Sequence, residues 1–257
     1  MKKILLSTIA LANVLQSAPM GLKTQTELGF IKNTGNTVAE TFTLDATINK
    51  EWEKHISNVK ITGQYGTRNN VEIKNKWLLE LTYNYKFTKT FAFDYLLGYK
   101  DDSFSTYDYQ FYTGPGAKLI PIKSKTQNLN FSANILYSQD KNNDVYLDTN
   151  GNVDDYPYDS NSLRYQVGET RNYTGYRIAL NYNLQMFENL KFAQELNYRG
   201  EIEEAKNYFI YSKSSLSSKI SNYLSAGISY IVDYVAVPNP GKEYADKTFT
   251  ANLIINY

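Results

Sequence analysis

The sequence predicts an all-β fold, a closed antiparallel transmembrane β-barrel of about 12 strands. Three observations lead to this fold class. Apolar and polar residues alternate with a period of two in 12 successive segments, the connections are alternately short and long, and aromatic rings are abundant. Tyr, with 24 residues, and Phe, with 12, supply most of the 15% aromatic content.

The composition excludes several classes of function. The chain has no Cys, and therefore no disulfide, Cys-ligated zinc or thiol nucleophile. Its single His leaves little room for histidine-based metal or acid–base sites. The formal net charge of +1 gives no electrostatic reason to expect a nucleic-acid partner. We predict neither a cofactor nor an enzymatic activity.

The N-terminus has the layout of a secretory signal peptide. Lys2 and Lys3 precede a mostly apolar stretch of 12 residues, and Ala18 offers a cleavage site. This stretch is shorter than the roughly 20 residues that a transmembrane helix requires. We predict a signal peptide over residues 1–18 and a barrel over residues 22–257. The alternative is a helix retained in the mature protein.

All but one of the 12 segments are recognised by apolar residues at alternate positions, and the tenth is assigned by its position in the order. In chain order they lie at 28–30, 38–48, 59–65, 77–87, 91–99, 107–111, 129–137, 176–184, 190–198, 208–214, 224–232 and 249–257. The tenth segment is the weakest, because four consecutive apolar residues, 208–211, do not fix a face. An even number of strands is typical of bacterial outer-membrane barrels.

The connections also follow the outer-membrane pattern. At the end that holds both termini they are brief, and residues 120–127 form the longest. The opposite end carries most of the irregular chain, including a 32-residue acidic loop, residues 139–170. Short periplasmic turns and long extracellular loops are the usual arrangement of such barrels.

The composition of the two faces distinguishes a barrel in lipid from a soluble β-sandwich, which would also alternate. The apolar face has aliphatic residues at mid-strand and rings near the ends, as from Trp77 to Phe87 and from Tyr173 to Leu184. Two belts of rings suit a lipid exterior, and in lipid the backbone must close on itself to pair every polar group. We therefore expect the outer membrane of a Gram-negative bacterium, with lipid and lipopolysaccharide around the barrel.

The polar face predicts a hydrated or salt-bridged lumen. Its predicted acids are Asp45, Glu80, Asp94, Asp108 and Glu195, and its predicted bases are Lys60, Lys86, Lys100, Lys118, Arg177, Lys191 and Arg199. The small excess of bases favours anions. Two functions fit: a narrow channel for small polar solutes whose selectivity these charges set, or a non-conducting envelope protein whose loops bind partners or stabilise the membrane under stress.

The last strand carries a candidate assembly signal. Phe249, Leu253, Ile255 and the terminal Tyr257 alternate along it, and this pattern is similar to the terminal strand that the barrel-assembly machinery reads in outer-membrane proteins. The alternative is an ordinary edge strand that ends at Tyr.

His55 is the one candidate for acid–base catalysis. A Ser–His pair like that of outer-membrane phospholipases would lie at the outer, lipid-facing surface, with both residues close together. His55 follows Trp52 in a turn at the predicted periplasmic end. We therefore predict a structural or interfacial histidine.

The acidic loop contains a weak candidate for a metal site, formed by Asp148, Asp154 and Asp155. An EF-hand requires Gly at the sixth position and Glu at the twelfth, where this loop has Val153 and Asp159. A turn within an acidic loop is the simpler interpretation. The alternative is weak binding of a divalent cation that bridges lipopolysaccharide phosphates.

Three motifs together resemble a known family. They are residues 28–37, LGFIKNTGNT; residues 109–117, YQFYTGPGA; and residues 237–241, VPNPG, followed by Asp246 and an alternating strand. The set resembles the YdiY-like salt-induced outer-membrane proteins, a barrel family of unknown function. The resemblance covers the predicted mature chain and implies the fold and the compartment, but no catalytic residue. The 32-residue loop departs from the usual compact pattern.

Overall fold

The computed structural model confirms the predicted closed barrel of 12 antiparallel strands. It describes residues 22–33, 39–147, 153–154, 164–238 and 243–256. Consecutive barrel strands pair with each other, and the first pairs with the last to close the sheet. The described part of the chain contains no helix long and apolar enough to cross a membrane. The predicted signal peptide and Tyr257 lie outside the described residues.

The strands are numbered in chain order. The barrel comprises β1 (Leu22–Asn33), β2 (Ala39–Trp52), β3 (His55–Arg68), β4 (Val71–Lys86), β5 (Phe91–Asp102), β6 (Tyr107–Lys123), β7 (Gln127–Asn142), β11 (Thr170–Gln185), β12 (Leu190–Glu201), β13 (Tyr208–Lys219), β14 (Leu224–Val235) and β15 (Ala245–Asn256). Between β7 and β11, the short strands β8 (Val145–Leu147), β9 (Val153–Asp154) and β10 (Arg164–Gln166) form a separate sheet, which the sequence did not predict.

The connections differ between the two ends of the barrel. At the short-turn end, which also holds Leu22 and Asn256, turns of two to four residues join the strands. The predicted connection over residues 120–127 shrinks to three residues, because β6 continues to Lys123. The long-loop end carries the remaining connections, of which the longest covers residues 143–169. Its tight hairpin at Asn69 and Asn70 has φ values of 49° and 66°, as a two-residue hairpin turn requires.

The outward side chains form an apolar surface with aromatic belts near both ends. At the long-loop end, Tyr176, Tyr198, Tyr208, Tyr234 and Tyr244 stack in sequence, with ring centroids 5.5 to 6.2 Å apart. At the short-turn end, rings such as Phe87 and Phe91 stack at 5.7 Å. Between the belts the exposed side chains are mainly aliphatic; they include Leu81, Ile135, Ile178 and Ile228. So large an apolar surface would be unfavourable in water.

One wall of the lumen is apolar, which corrects the expectation of a wholly polar interior. Leu78, Leu96, Tyr112 and Leu136, on β4 to β7, pack into one cluster. Each lies beside another apolar residue in its strand, and because side chains alternate between the faces, one of the two must point inward. Tyr173 is a further correction: it was assigned to the outer face, but it is buried inside and its hydroxyl donates to Asp140.

Asp108 leaves the lumen face, in contrast to the prediction. The β6–β7 ladder shifts register between Tyr107 and Tyr109, as a β-bulge does. Tyr107 therefore faces inward, with its ring centroid 5.5 Å from that of Phe209. Asp108 turns to the outer side, where its carboxylate lies 2.8 Å from the ammonium of Lys141.

Candidate functional site in the lumen

Ion pairs cross the lumen between strands that are not neighbours in the barrel. The Lys60 ammonium on β3 lies 2.6 Å from the Glu195 carboxylate on β12. The Lys213 ammonium on β13 lies 2.7 Å from Glu27 on β1 and 2.8 Å from Asp45 on β2. Because intervening strands separate each pair along the sheet, these contacts run through the interior. They tie opposite walls of the barrel together.

A second set of cross-lumen pairs lies nearer the long-loop end. The Asp233 carboxylate on β14 is 3.1 Å from the Lys76 ammonium and 2.9 Å from the Lys100 ammonium, on β4 and β5. Lys76 also lies 3.6 Å from the exposed Asp246. Two lysines from one wall thus share one buried carboxylate from the opposite wall, which compensates the cost of removing these charges from water.

The lumen contains two adjoining spaces. A vestibule of about 750 Å³, lined mainly by polar side chains, occupies the half nearer the short-turn end. A central cavity of about 110 Å³ adjoins it toward the long-loop end. The residues that line both spaces, here called the charged ring, are Glu27, Asp45, Lys60, Glu80, Arg177, Glu195 and Lys213. Passage from the vestibule to the cavity therefore leads past charged side chains.

Two arginines stand side by side in the wall of the central cavity. Arg177 on β11 and Arg199 on β12 are cross-strand partners, and each is 7% exposed. The Arg177 Nε donates to the amide oxygen of Asn197 at 2.9 Å. The guanidinium carbon of Arg199 lies 4.2 Å from the ring centroid of Tyr112 and 4.6 Å from that of Phe209, within the range of cation–π attraction.

Polar side chains hold the remaining inward charges in place. The Tyr112 hydroxyl donates to Glu80 at 2.6 Å. Asp94 is buried and accepts hydrogen bonds from the amides of Asn84 and Asn134, while the Lys118 ammonium donates to Asn84 at 3.1 Å. These contacts fix the carboxylates and ammonium groups within the wall and so define the shape of the lumen.

The structure locates the predicted lumen charges as follows. Asp45, Lys60, Glu80, Arg177 and Glu195 belong to the charged ring; Lys100 and Arg199 line the central cavity; Asp94, Lys118 and Lys191 line the vestibule; Lys86 pairs with Glu51 at 2.8 Å near the short-turn end; and Asp108 lies outside the lumen.

Several inward charges were missed from the sequence. They are Glu27, Lys76, Asp102, Asp140, Lys213 and Asp233. Asp140 was assigned to the acidic loop, yet it lies in β7 and accepts a hydrogen bond from Gln110. Extending the alternation of β4 and β14 by a few residues would have found Lys76 and Asp233. With these carboxylates included, the predicted excess of bases is no longer evident: the charged ring has four acids and three bases.

His55 lies at the short-turn end, within the aromatic belt. Its Nδ1 forms a hydrogen bond of 2.6 Å with the Tyr83 hydroxyl, and its ring stacks on Trp52 at 5.4 Å. Tyr85 contacts the same ring edge-on at 5.3 Å. These contacts position the imidazole as part of the belt.

The weak metal candidate falls largely outside the structure. Asp148 and Asp155 are not among the described residues, and Asp154 is described only as backbone in β9. Across the ranges that the structure describes, no group of three or more His, Asp or Glu side chains could hold a metal ion.

The predicted assembly residues share the outer face of β15. Phe249 and Leu253 are 54% and 45% exposed, and Ile255 follows at the next alternate position. β15 pairs with β14 on one side and with β1 on the other, so it is the strand that closes the barrel. Their role in assembly stays a prediction.

The fold and the lumen define a closed β-barrel with an apolar exterior and a charged interior. The chain belongs to the family described as protein of unknown function, DUF481, whose sequence profile matches residues 26–257. This agrees with the resemblance to the YdiY-like proteins. A search of curated proteins finds no match to the chain.

Solved structures of similar shape are, by their names, a translocator domain, a porin and an outer membrane channel. The translocator domain of the autotransporter NalP from Neisseria meningitidis has 10% identity and a TM-score of 0.47, covering 96% of this chain and 92% of that one. The NanC porin has 12% identity and a TM-score of 0.45, covering 91% and 97%. An outer membrane channel from Pseudomonas putida F1 has 6% identity and a TM-score of 0.49, covering 93% and 96%.

Proposed function

We propose that the chain is an integral β-barrel of a Gram-negative outer membrane and forms a narrow channel for small polar solutes. The apolar surface between two aromatic belts supports the membrane location, because such a surface matches the hydrocarbon layer and its two interfaces. The surrounding lipid and lipopolysaccharide, and the barrel-assembly machinery that reads β15, are the partners this location implies. The leader over residues 1–18 would direct export.

One observation carries the channel proposal: a polar vestibule of about 750 Å³ leads to a smaller cavity past the charged ring. A purely structural barrel gains nothing from a hydrated space of this size. Charged side chains that line a constriction set both the size and the charge of the solutes that pass. The cross-lumen pair of Lys60 and Glu195 narrows this constriction, so the expected conductance is small.

A second candidate is a non-conducting envelope barrel. The observation that favours it is the contact of opposite walls near the long-loop end, where the Tyr107 hydroxyl donates to Asn207 at 3.4 Å and the Tyr107 ring contacts Phe209. Together with the Asp233 pairs, these contacts fill much of the lumen on that side. In this case the loops would carry the function.

Single-channel recording of the refolded protein in planar bilayers separates the two candidates. In the double variant Lys60→Ser, Glu195→Ser, the constriction loses an ion pair without a change in net charge, and conductance should rise by about twofold or more. The matched control, Lys86→Ser with Glu51→Ser, removes an ion pair near the short-turn end and should leave conductance unchanged.

The recordings decide for or against the channel. Reproducible conductance that rises only in the Lys60 and Glu195 variant supports it. Silence of the wild type and of both double variants, in bilayers where a control porin conducts, would reject the channel in favour of the non-conducting envelope role.

A further inference from the structure

We propose that the central cavity binds the carboxylate of a small organic anion through the guanidinium groups of Arg177 and Arg199. This inference deepens the proposed function by naming the class of solute, and it rests on that function insofar as solutes must reach the cavity through the lumen. The vestibule and the charged ring provide a route from the short-turn end, because Arg177 lines both spaces.

The first argument is the pairing of like charges. Arg177 and Arg199 lie directly opposite each other on neighbouring strands, and both side chains face inward. Like charges in this arrangement destabilise a sheet unless an anion compensates them. Glu80 attracts both guanidinium groups and Asp140 attracts Arg199, but neither carboxylate forms a direct ion pair with them, so the guanidinium N–H groups keep capacity for a ligand.

The second argument is the absence of a direct ion pair. Lysines elsewhere in the lumen have carboxylates of the chain at 2.6 to 3.1 Å; they are Lys60, Lys76, Lys100 and Lys213. Within the described residues, no carboxylate lies within 4.0 Å of either guanidinium group of Arg177 and Arg199. Glu80 lines the same cavity, but its Oε1 accepts from the Tyr112 hydroxyl. Among the described bases that line the central cavity, Arg177 and Arg199 are therefore the two without a carboxylate within 4.0 Å.

The third argument is a guanidinium whose hydrogen-bonding capacity is not fully used within the chain. Arg199 is 7% exposed, and its Nη1 is buried without a hydrogen-bond partner. A buried donor without a partner is costly, and native structures leave few of them. The rings of Tyr112 and Phe209 pack against this guanidinium and hold its orientation, while its N–H groups point outward in its own plane. Because Arg199 lines the cavity, a ligand oxygen there would meet the side of the guanidinium that faces this space.

The lining and the volume of the cavity fit a small polar anion. Gln64, Gln110 and Asn197 line it beside the arginines, and the Oε1 of Gln64 is a second buried polar atom without a partner. A space of about 110 Å³ holds several waters, at about 10–15 Å³ each, or one small organic molecule. Arginine binds carboxylates with two parallel hydrogen bonds, which gives the orientation of the bound group.

The surrounding acids favour a single negative charge on the ligand. Glu27, Asp45, Glu80, Glu195 and Asp233 also line the cavity. A multiply charged anion would be repelled by these carboxylates, whereas a monocarboxylate, such as a sugar acid, can be held by the two arginines while its hydroxyl groups face the amides.

Isothermal titration calorimetry of the full barrel, refolded in detergent micelles, tests the site with D-glucuronate as the probe and D-glucose as the neutral control. We expect saturable binding of glucuronate and none of glucose. Arg177→Gln and Arg199→Gln should each weaken binding by about tenfold or more, as expected for loss of a charge-assisted contact. Lys191→Gln is the matched control, because Lys191 lines the vestibule and not the cavity; its binding should change by less than about twofold.

Absence of saturable glucuronate binding by the wild type overturns the inference, as does an equal loss in Lys191→Gln, which would indicate a diffuse field in place of a site. Because Arg199 packs against two rings, its substitution could prevent folding. Each variant is therefore first checked on a gel, where a folded barrel that has not been boiled migrates differently from the boiled chain. If Arg199→Gln does not fold, the binding result for Arg177→Gln decides whether the site exists. Binding in micelles without conductance in bilayers rejects the channel and keeps the site. Conductance in bilayers without binding in micelles keeps the channel and rejects the site.

Discussion

Tyr112 joins a hydrogen bond, a cation–π contact and the apolar cluster in the central lumen. Its hydroxyl donates to Glu80, its ring lies beneath the Arg199 guanidinium, and it belongs to the apolar cluster with Leu96 and Leu136. The ring also lies across Gly98 on β5: a Cβ at that position would be 2.2 Å from a ring carbon. Gly98 is therefore small because the aromatic side chain occupies the space beside it.

Gly98→Ala should destabilise the barrel by about 1–3 kcal/mol, the usual cost of overpacking, because Tyr112 is held at both its hydroxyl and its ring and cannot move away freely. The measurement is urea unfolding in detergent micelles. Gly63→Ala is the control, since a Cβ there meets nothing within 4 Å.

The same substitution in a Tyr112→Ala background isolates the contact. Once the ring is absent, Gly98→Ala should cost little. An equal cost in both backgrounds would show that the backbone of β5, and not the ring, requires glycine at this position.

At the scale of single residues, the sequence predicts which face a side chain takes more reliably than what it touches. Alternation correctly assigned Asp45, Lys60 and Glu195 to the interior, yet their partners come from strands far apart in the chain. Partner choice depends on the height of each residue in the closed barrel, which is a property of strand tilt and stagger. No pattern within one strand contains that information.

At the scale of the element, β15 has two unequal neighbours. It pairs with β14 over nearly its whole length, but with β1 only between residues 252–256 and 25–29. β1 in turn pairs with β2 along all of Leu22–Asn33. Among the described residues, the seam that closes the barrel is thus its shortest ladder.

Deletion of Tyr257 should reduce the yield of assembled protein in the outer membrane far more than it reduces intrinsic stability. We expect the folded barrel to lose on the order of 1–3 kcal/mol, the range for one large side chain, whereas the proposed recognition of the last strand would have no substitute. The comparison is with Tyr83→Ala, a ring of the short-turn belt, and refolding into detergent is the stability control. Equal membrane yields of the two variants would show that Tyr257 is only a member of the belt.

The sequence predicted the number and order of the barrel strands because all but the tenth carry their own period-two pattern, and the tenth was assigned by its position in the order. It did not predict the irregularities of β6, which shifts register between Tyr107 and Tyr109 and again between Leu119 and Ile122. A bulge arises from the match between two paired strands, so it is a non-local property. Runs of consecutive apolar residues could have indicated where aromatic rings point inward. In β13, the run at 208–211 includes Phe209 and Tyr211, which face the lumen.

At the scale of the whole molecule, the lumen and its cross-lumen ion pairs depend on closure of the sheet by pairing of β1 with β15. The chain has no Cys, which allows closure to be tested by a single engineered disulfide. Leu28 on β1 and Leu253 on β15 are cross-strand partners on the outer face, so their Cβ atoms lie close together.

The double variant Leu28→Cys, Leu253→Cys should form an intramolecular disulfide on mild oxidation of the folded protein. Boiled, non-reduced protein would then migrate differently from reduced protein, because almost the entire chain is closed into a loop. Leu28→Cys with Ile228→Cys, whose second position lies on β14, is the control and should stay reduced. An open sheet would be indicated if the first pair remained reduced while the unheated band was still folded.

The Lys213 contacts have a mechanical consequence for the short seam. Glu27 lies on β1 and Lys213 on β13, so their ion pair passes over β14 and β15 and clamps the two sides of the closure line from within. A lateral force that unzips β1 from β15 must also stretch this clamp, and the tie from Lys213 to Asp45 pulls on β2 in the same direction. Among the described residues, the barrel is therefore braced from within along the ladder where its backbone hydrogen bonds are fewest.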